Sequence, residues 1–282
     1  MIAPQEEDFL TLHAYVPEHL PGYGRVFSGG GDPFLAGSYL GYLREETLVW
    51  VGYPLEGAFQ EEEMKSALET AIKKYRPSRV AITAPSFSGM GGEKKSVDLY
   101  YRLELTSLRV PSKTKNMVHR AGRELAIDKG PEFGGDHQAL IDLFLGSREL
   151  EEGTRIIFSR IADYLSSVPA ARVFAARDSR GTLAGFDVAD FGAGEYAFYL
   201  FNFRSQEAAV PGTSDLLLHA LIREAQERGK RYLNLGLGIN EGVAFFKKKW
   251  GGRPFLPHQS LRYRPSPPSI FDFLMKGLTQ VC

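Results

Sequence analysis

The chain has a single cysteine, Cys282, at the last of its 282 positions. One thiol cannot build a disulfide framework or a cysteine-rich zinc site. Prenylation needs the cysteine fourth from the end, so this position does not fit it either. Surplus charge is also absent, since 34 Lys and Arg balance 34 Asp and Glu. A protein that coats DNA or an anionic membrane needs excess positive charge. DNA is therefore not expected as a partner, and only a local basic patch is left open. No stretch approaches the ~20 apolar residues of a membrane span. The opening residues, MIAPQEEDFLTLH, hold no basic segment and no long apolar run, unlike a secretory signal. The expectation is a soluble, cytoplasmic protein, with 43% hydrophobic residues to fill its core.

Several catalytic signatures are missing too. The histidines (His13, His19, His119, His137, His219 and His258) form no H-E-x-x-H or other ligand pair, so no metal is expected. The G-x-S-x-G elbow and the Walker pattern are absent. Gly236, Gly238 and Gly242 follow an apolar run in the manner of a dinucleotide loop. Their spacing, G-x-G-x-x-x-G, is one residue too long, and too little chain follows for a doubly wound sheet.

What is present reads as alternating strands and helices. Residues up to 37 are rich in Gly and Pro and read as loops with little regular structure. Strands are expected at 47–54, 79–85 and 98–105, and a helix at 59–75 with an acidic start and a basic end. Met64, Leu68 and Ile72 give that helix an apolar face. Residues 111–124 read as a basic helix, its cations (Lys113, Lys115, Arg120 and Arg123) forming either a solvated face or an anion-binding surface. Beyond it come a strand at 125–130, helices at 136–145 and 154–166, and three strands at 171–178, 181–192 and 195–203. A helix at 210–229 follows, N-capped by Thr213 or Ser214 and closed by Gly229. A strand around 231–238, a short helix capped by Asn240 and Gly251, and a strand at 258–264 complete the series. The first half partly echoes the second. Residues 266–282 read as a short apolar helix docking on its own domain or a second subunit.

Two stretches carry chemistry. Between strand and helix, the run Val210, Pro211, Gly212, Thr213 and Ser214 would aim free N–H groups at one point, and Gly212 permits close backbone approach. It suits a pyrophosphate or a carboxylate, or is an ordinary capped helix. In the second stretch, Lys247, Lys248 and Lys249 lie about 100° apart around a helix and cannot form one basic face. Val243, Phe246 and Trp250 form its buried stripe. Lys247 borders that stripe, with Lys248 and Lys249 as solvated neighbours.

The run GTSDLLLHALIREAQERGKRYLNLG followed by GVAFFKKKWGG resembles the Gcn5-related N-acetyltransferase (GNAT) superfamily, in particular its Fem-like tandem-domain branch. The Phe-Lys-x-x-aromatic-Gly turn is matched by Phe246, Lys247, Lys248, Lys249, Trp250 and Gly251, and the match covers roughly residues 171–263. The resemblance implies an α/β fold with a mixed α+β sheet. It implies a degenerate N-terminal copy at 1–110, a connecting basic helix at 111–124 and an acyltransferase domain at 125–282. It implies an acyl donor along residues 195–203, reaching Phe203, with donor phosphates at 210–214. Lys247 would face the acyl carbonyl and stabilise the oxyanion. Asn234 would position donor or acceptor, Glu195 would accept the amine proton, and Tyr199 would donate one. The usual Arg/Gln-x-x-Gly-x-Gly/Ala phosphate loop of acetyl-CoA enzymes is not matched by AAVPGTSD. The implied donor is therefore either acyl-CoA or aminoacyl-tRNA, and the acceptor a small-molecule or peptide amine. The rival readings are an aminoacyl-tRNA-dependent peptidoglycan or lipid aminoacyltransferase, and a catalytically inactive binding module.

Overall fold

The structure is a computed structural model that describes residues 2–130 and 132–265. The expected helix at 266–282 lies outside the described residues. The N-terminal segment is helical where loops were expected. Helix α1 spans Pro4–His13, a 3-10 turn spans Pro17–His19 and α2 spans Pro21–Phe27. Each begins with proline. A proline at the first helical position has no N–H to lose and a φ preset for the helix, so it starts helices as readily as it breaks them.

Three antiparallel strands follow: β1 (Asp32–Ala36), β2 (Tyr39–Arg44) and β3 (Thr47–Val51). Helix α3 (Glu61–Tyr75) carries the chain over to β4 (Arg79–Ala84), which lies parallel to β3. Strand β5 (Glu93–Glu104) ends this half. Helix α4 (Ser112–Ala121) turns Thr114, Val118 and Ala121 inward, and its cations face outward.

The second half repeats the plan. After β6 (Leu125–Gly130) come α5 (Gly135–Gly146), α6 (Glu152–Ser159) and α7 (Ile161–Ser167). The single helix expected at 154–166 is thus two. Arg160 leaves the helical region at φ −102°, ψ 5°, and its side chain reaches the Val26 carbonyl at 2.9 Å. Strands β7 (Ala171–Asp178), β8 (Leu183–Asp190) and β9 (Tyr196–Arg204) form an antiparallel meander. Helix α8 (Thr213–Glu227) crosses to β10 (Tyr232–Leu237), parallel to β9. Helix α9 (Glu241–Lys249) and β11 (Arg253–Tyr263) complete the described elements.

The eleven strands of the described residues form one sheet, in the order β1-β2-β3-β4-β11-β5-β10-β9-β8-β7-β6. The final strands of the halves are exchanged. β11 lies between β4 and β5, and β5 lies beside β10. Successive strand residues face opposite sides. In β7, Phe174 and Ala176 meet Leu217, Leu221 and Trp250 on the α8–α9 side, while Val173 and Ala175 meet Ile141 and Ile161 on the other.

Candidate functional site

The two halves differ at their parallel strand pairs. β3 pairs with β4 along its full length, from Thr47↔Arg79 to Val51↔Thr83. β9 and β10 pair only from Tyr232↔Tyr196 to Asn234↔Phe198, although β9 continues to Arg204 and β10 to Leu237. Beyond this point β10 stays with β5, through Leu237↔Tyr100, and a fork opens along β9. Its apex is a bulge in which Gly236 takes φ +74°, a left-handed conformation that favours glycine. Asn234 holds this apex. It is buried, its Oδ1 accepts the Gly236 N–H at 2.8 Å, and its Nδ2 donates to the Tyr15 carbonyl at 2.8 Å.

Lys247 reaches the same apex from α9. A methyl group on Gly236 would lie 3.6 Å from the Tyr199 carbonyl and 3.7 Å from Lys247 Nζ. Lys247 is only 3% exposed, although its neighbour Lys248 is exposed. Its ammonium donates to the Leu237 carbonyl and stands 6.0 Å from the Tyr101 ring centre. Burial lowers its pKa to about 7, and the Asp98 carboxylate works in the opposite direction. Asp98 also fixes the turn behind the apex, accepting the N–H groups of Gly238 at 3.1 Å and Ile239 at 2.6 Å. Asn240 caps α9 as expected, its Oδ1 taking the Val243 N–H at 3.0 Å.

Lys249 is not a solvated neighbour. Its Nζ meets both carboxylate oxygens of Asp215 at 2.7 and 2.8 Å, and Trp250 Nε1 donates to the same Asp215 at 2.9 Å. α9 is thereby tied to the first turn of α8. At that turn Gly212 is the N-cap residue, with φ +90°, where Thr213 or Ser214 was expected. Thr213 is the first helical residue, and its hydroxyl donates back to the Val210 carbonyl at 2.6 Å. A methyl on Gly212 would lie 2.7 Å from the Met117 carbonyl of α4, so the close approach that this glycine permits is made by α4. Ser214 Oγ donates to Asn202 Oδ1 at 3.3 Å, and Asn202 Nδ2 to Asp187 Oδ1 at 2.6 Å. Pro211 is exposed and Val210 half-buried.

The remaining expected residues are more dispersed. Tyr199 lies along the fork, and burial, reinforced by Asp187 and Asp215, keeps its hydroxyl protonated. Phe203 is buried on the opposite face, ring to ring with Phe186 at 5.1 Å and Phe144 at 5.3 Å. Glu195 is exposed in the turn before β9, beside the paired end of the strands, and its carboxylate meets Arg231 at 3.4 Å.

Glu18 had no signal in the sequence. Tyr100 and Tyr101 are consecutive in β5 and face opposite sides. Tyr101 faces Lys247, and the Tyr100 hydroxyl donates to both Glu18 oxygens at 3.0 Å. Glu18 thus approaches the fork end of β5 from the side opposite Lys247. Burial raises its pKa, and its charge bears on Tyr23, Tyr42, Tyr53 and Tyr100. Among the described residues no group of three or more His, Cys, Asp or Glu side chains could hold a metal ion.

No protein-family model matches the sequence, and no curated protein matches it. Solved structures do resemble it. The C-terminal domain of a candidate lysylphosphatidylglycerol synthetase from Agrobacterium fabrum superposes with TM-score 0.60 at 14% identity, over 97% of this chain and 95% of that one. FemX superposes with TM-score 0.61 at 12% identity, over 99% and 98%. A GCN5-related N-acetyltransferase from Kribbella flavida superposes with TM-score 0.53 at 15% identity, over 88% and 94%. The fold is that of the GNAT-like, Fem-type acyltransferases.

Proposed function

We propose that this chain is an N-acyltransferase that moves an acyl or aminoacyl group from a thioester or ester donor to an amine. The observation that carries this reading is the β9/β10 fork with a buried lysine at its apex, a feature the first half lacks. A donor carbonyl seated in the fork would meet the Lys247 ammonium in a site of low dielectric, where a cation stabilises a developing oxyanion strongly. Tyr199, held protonated, would supply the leaving group with its proton. Asn234 would keep the bulge open by bonding Gly236. We assign the acceptor amine's proton to Glu18, because Glu195 is engaged with Arg231 at the paired end of the strands. The chain is then a pair of copies, residues 1–110 and 125–282, joined by 111–124, with chemistry in the second.

For the donor, an aminoacyl-tRNA ester is favoured over a CoA thioester. The Met117 carbonyl occupies the approach to Gly212 that a pyrophosphate would use. The exposed cations of α4 and the turn after it (Lys113, Lys115, Arg120 and Arg123) adjoin that turn and suit RNA phosphates. Ser214 and Asp215 still present first-turn N–H groups to a donor phosphate at 210–214. One of these neighbours, a candidate lysylphosphatidylglycerol synthetase, is named for a lysyl group and phosphatidylglycerol, which supports an aminoacyl donor and a polar lipid, peptide or small-molecule acceptor. Both donor classes are made in the cytoplasm, where we place the reaction.

The test is transfer of a labelled acyl group from acetyl-CoA or lysyl-tRNA to amine acceptors, by wild type and by Lys247→Ala. Loss of one oxyanion partner lowers kcat by roughly 100- to 1,000-fold. Equal rates for the two proteins would remove Lys247 from the chemistry. Wild type that transfers from neither donor would favour the reading of an inactive binding module.

A further inference from the structure

On the side of the molecule away from α8, a cavity of about 590 Å³ lies between α2, the end of β2 and the junction of α6 with α7. Its lining includes Arg25, Arg44 and Arg160, together with Gly29 and Asp163. The volume falls in the usual range for small-molecule sites.

The arginines are crowded rather than paired. Gly29 takes φ +85°, and a methyl there would lie 2.3 Å from Arg44 Nη1 and 2.9 and 3.1 Å from the two Arg160 Nη atoms. Both guanidinium groups therefore press on one point, and like charges held this close repel. Their counter-charges are weak. Arg44 meets Glu45 only at 3.9 Å, with both side chains largely exposed, and Arg25 meets Glu7 at 3.7 Å. Among the described residues Arg160 has no carboxylate within 4.0 Å, and Asp163 in the same wall pairs with none of the three arginines. Arg160 spends one N–H on the Val26 carbonyl. Each guanidinium has five N–H donors, in a fork that matches phosphate oxygens.

We propose that this cavity binds the phosphate group of a small organophosphate, held chiefly by Arg44 and Arg160 with Arg25 at the side. The bound anion neutralises the crowded guanidinium groups, and the rest of the cavity takes the organic body. The inference does not depend on acyl transfer, because binding is measured without turnover.

The experiment is calorimetric and thermal titration of the full chain with glycerol 3-phosphate, inorganic phosphate and pyrophosphate, against sodium chloride at matched ionic strength. Wild type is expected to show saturable binding and a rising Tm, with glycerol 3-phosphate bound more tightly than inorganic phosphate. Arg44→Gln and Arg160→Gln should each weaken binding at least tenfold. Arg44→Gln should also be no less stable than wild type without anion, since it relieves repulsion. Arg160→Gln loses the Val26 bond, and if it does not fold, Arg44→Gln decides alone. No saturable binding, unchanged affinity in the variants, or a lower anion-free Tm for Arg44→Gln would overturn the proposal. Equal affinity for phosphate and glycerol 3-phosphate would overturn the organic-body part.

Discussion

Lys247 destabilises the fold at neutral pH. Its folded pKa is about 7 and its ordinary value 10.5. Between these the unfolded chain binds more protons than the folded one, so this residue makes stability rise with pH across that window. Below pH 7 the cost is complete, roughly 5 kcal/mol as an upper bound at 1.4 kcal/mol per pKa unit. Lys247→Met keeps the length and removes the charge. It should raise the midpoint of urea unfolding at pH 7 and flatten its rise between pH 7 and 9, while transfer activity is lost. A variant that is destabilised at pH 7 yet keeps its transfer activity would mean that the lysine is held for packing alone. A buried group that costs stability and gains activity is the usual trade at a catalytic site.

At the scale of elements, α9 is aimed by one carboxylate. Asp215 is 5% exposed and takes bonds from both Lys249 and Trp250. Asp215→Ala leaves the buried Trp250 N–H unpaired and frees α9 from α8. The expected loss is about 2–3 kcal/mol in denaturant unfolding, discounted because Lys249 is partly solvated. A loss under about 0.5 kcal/mol would mean that Trp250 packing alone holds α9.

This element also marks how far the sequence could be read. The α9 boundaries were legible because capping is local. Asn240 and Gly251 sit within two residues of its ends. The singular position of Lys247 followed from helical period alone. Pro4 and Pro21 are ambiguous in the sequence because proline punctuates helices at either end. Asp98 and Glu18 stayed hidden for a different reason. Asp98 meets the apex turn from 141 positions away, and Glu18 meets Tyr100 from 82, distances at which no periodicity operates. Asp215 did have a local signal, an acidic residue in the first turn of α8.

For the whole molecule, the exchanged strands couple the halves. Because β11 fills the space between β4 and β5, and β5 borders β10, neither half holds a complete sheet from its own residues. Unfolding should therefore be a single cooperative transition, with near- and far-ultraviolet circular dichroism coincident. A fragment of residues 1–110 should not fold alone. Two separated transitions would show that the halves are independently stable. The strand exchange was not legible in the sequence. β11 reads as an ordinary strand whichever partner it takes, and strand pairing is set by the three-dimensional arrangement.

The same exchange shapes the birth of the protein on the ribosome. β5 ends at Glu104 and β11 begins at Arg253. At ordinary synthesis speeds of ~5–20 residues per second, roughly 7–30 s separate them. Through that interval the facing edges of β4 and β5 are unpaired templates for any passing strand. The nascent chain is therefore most exposed to aggregation just before β11 emerges. Its yield in cells depends on what shields those edges in the meantime.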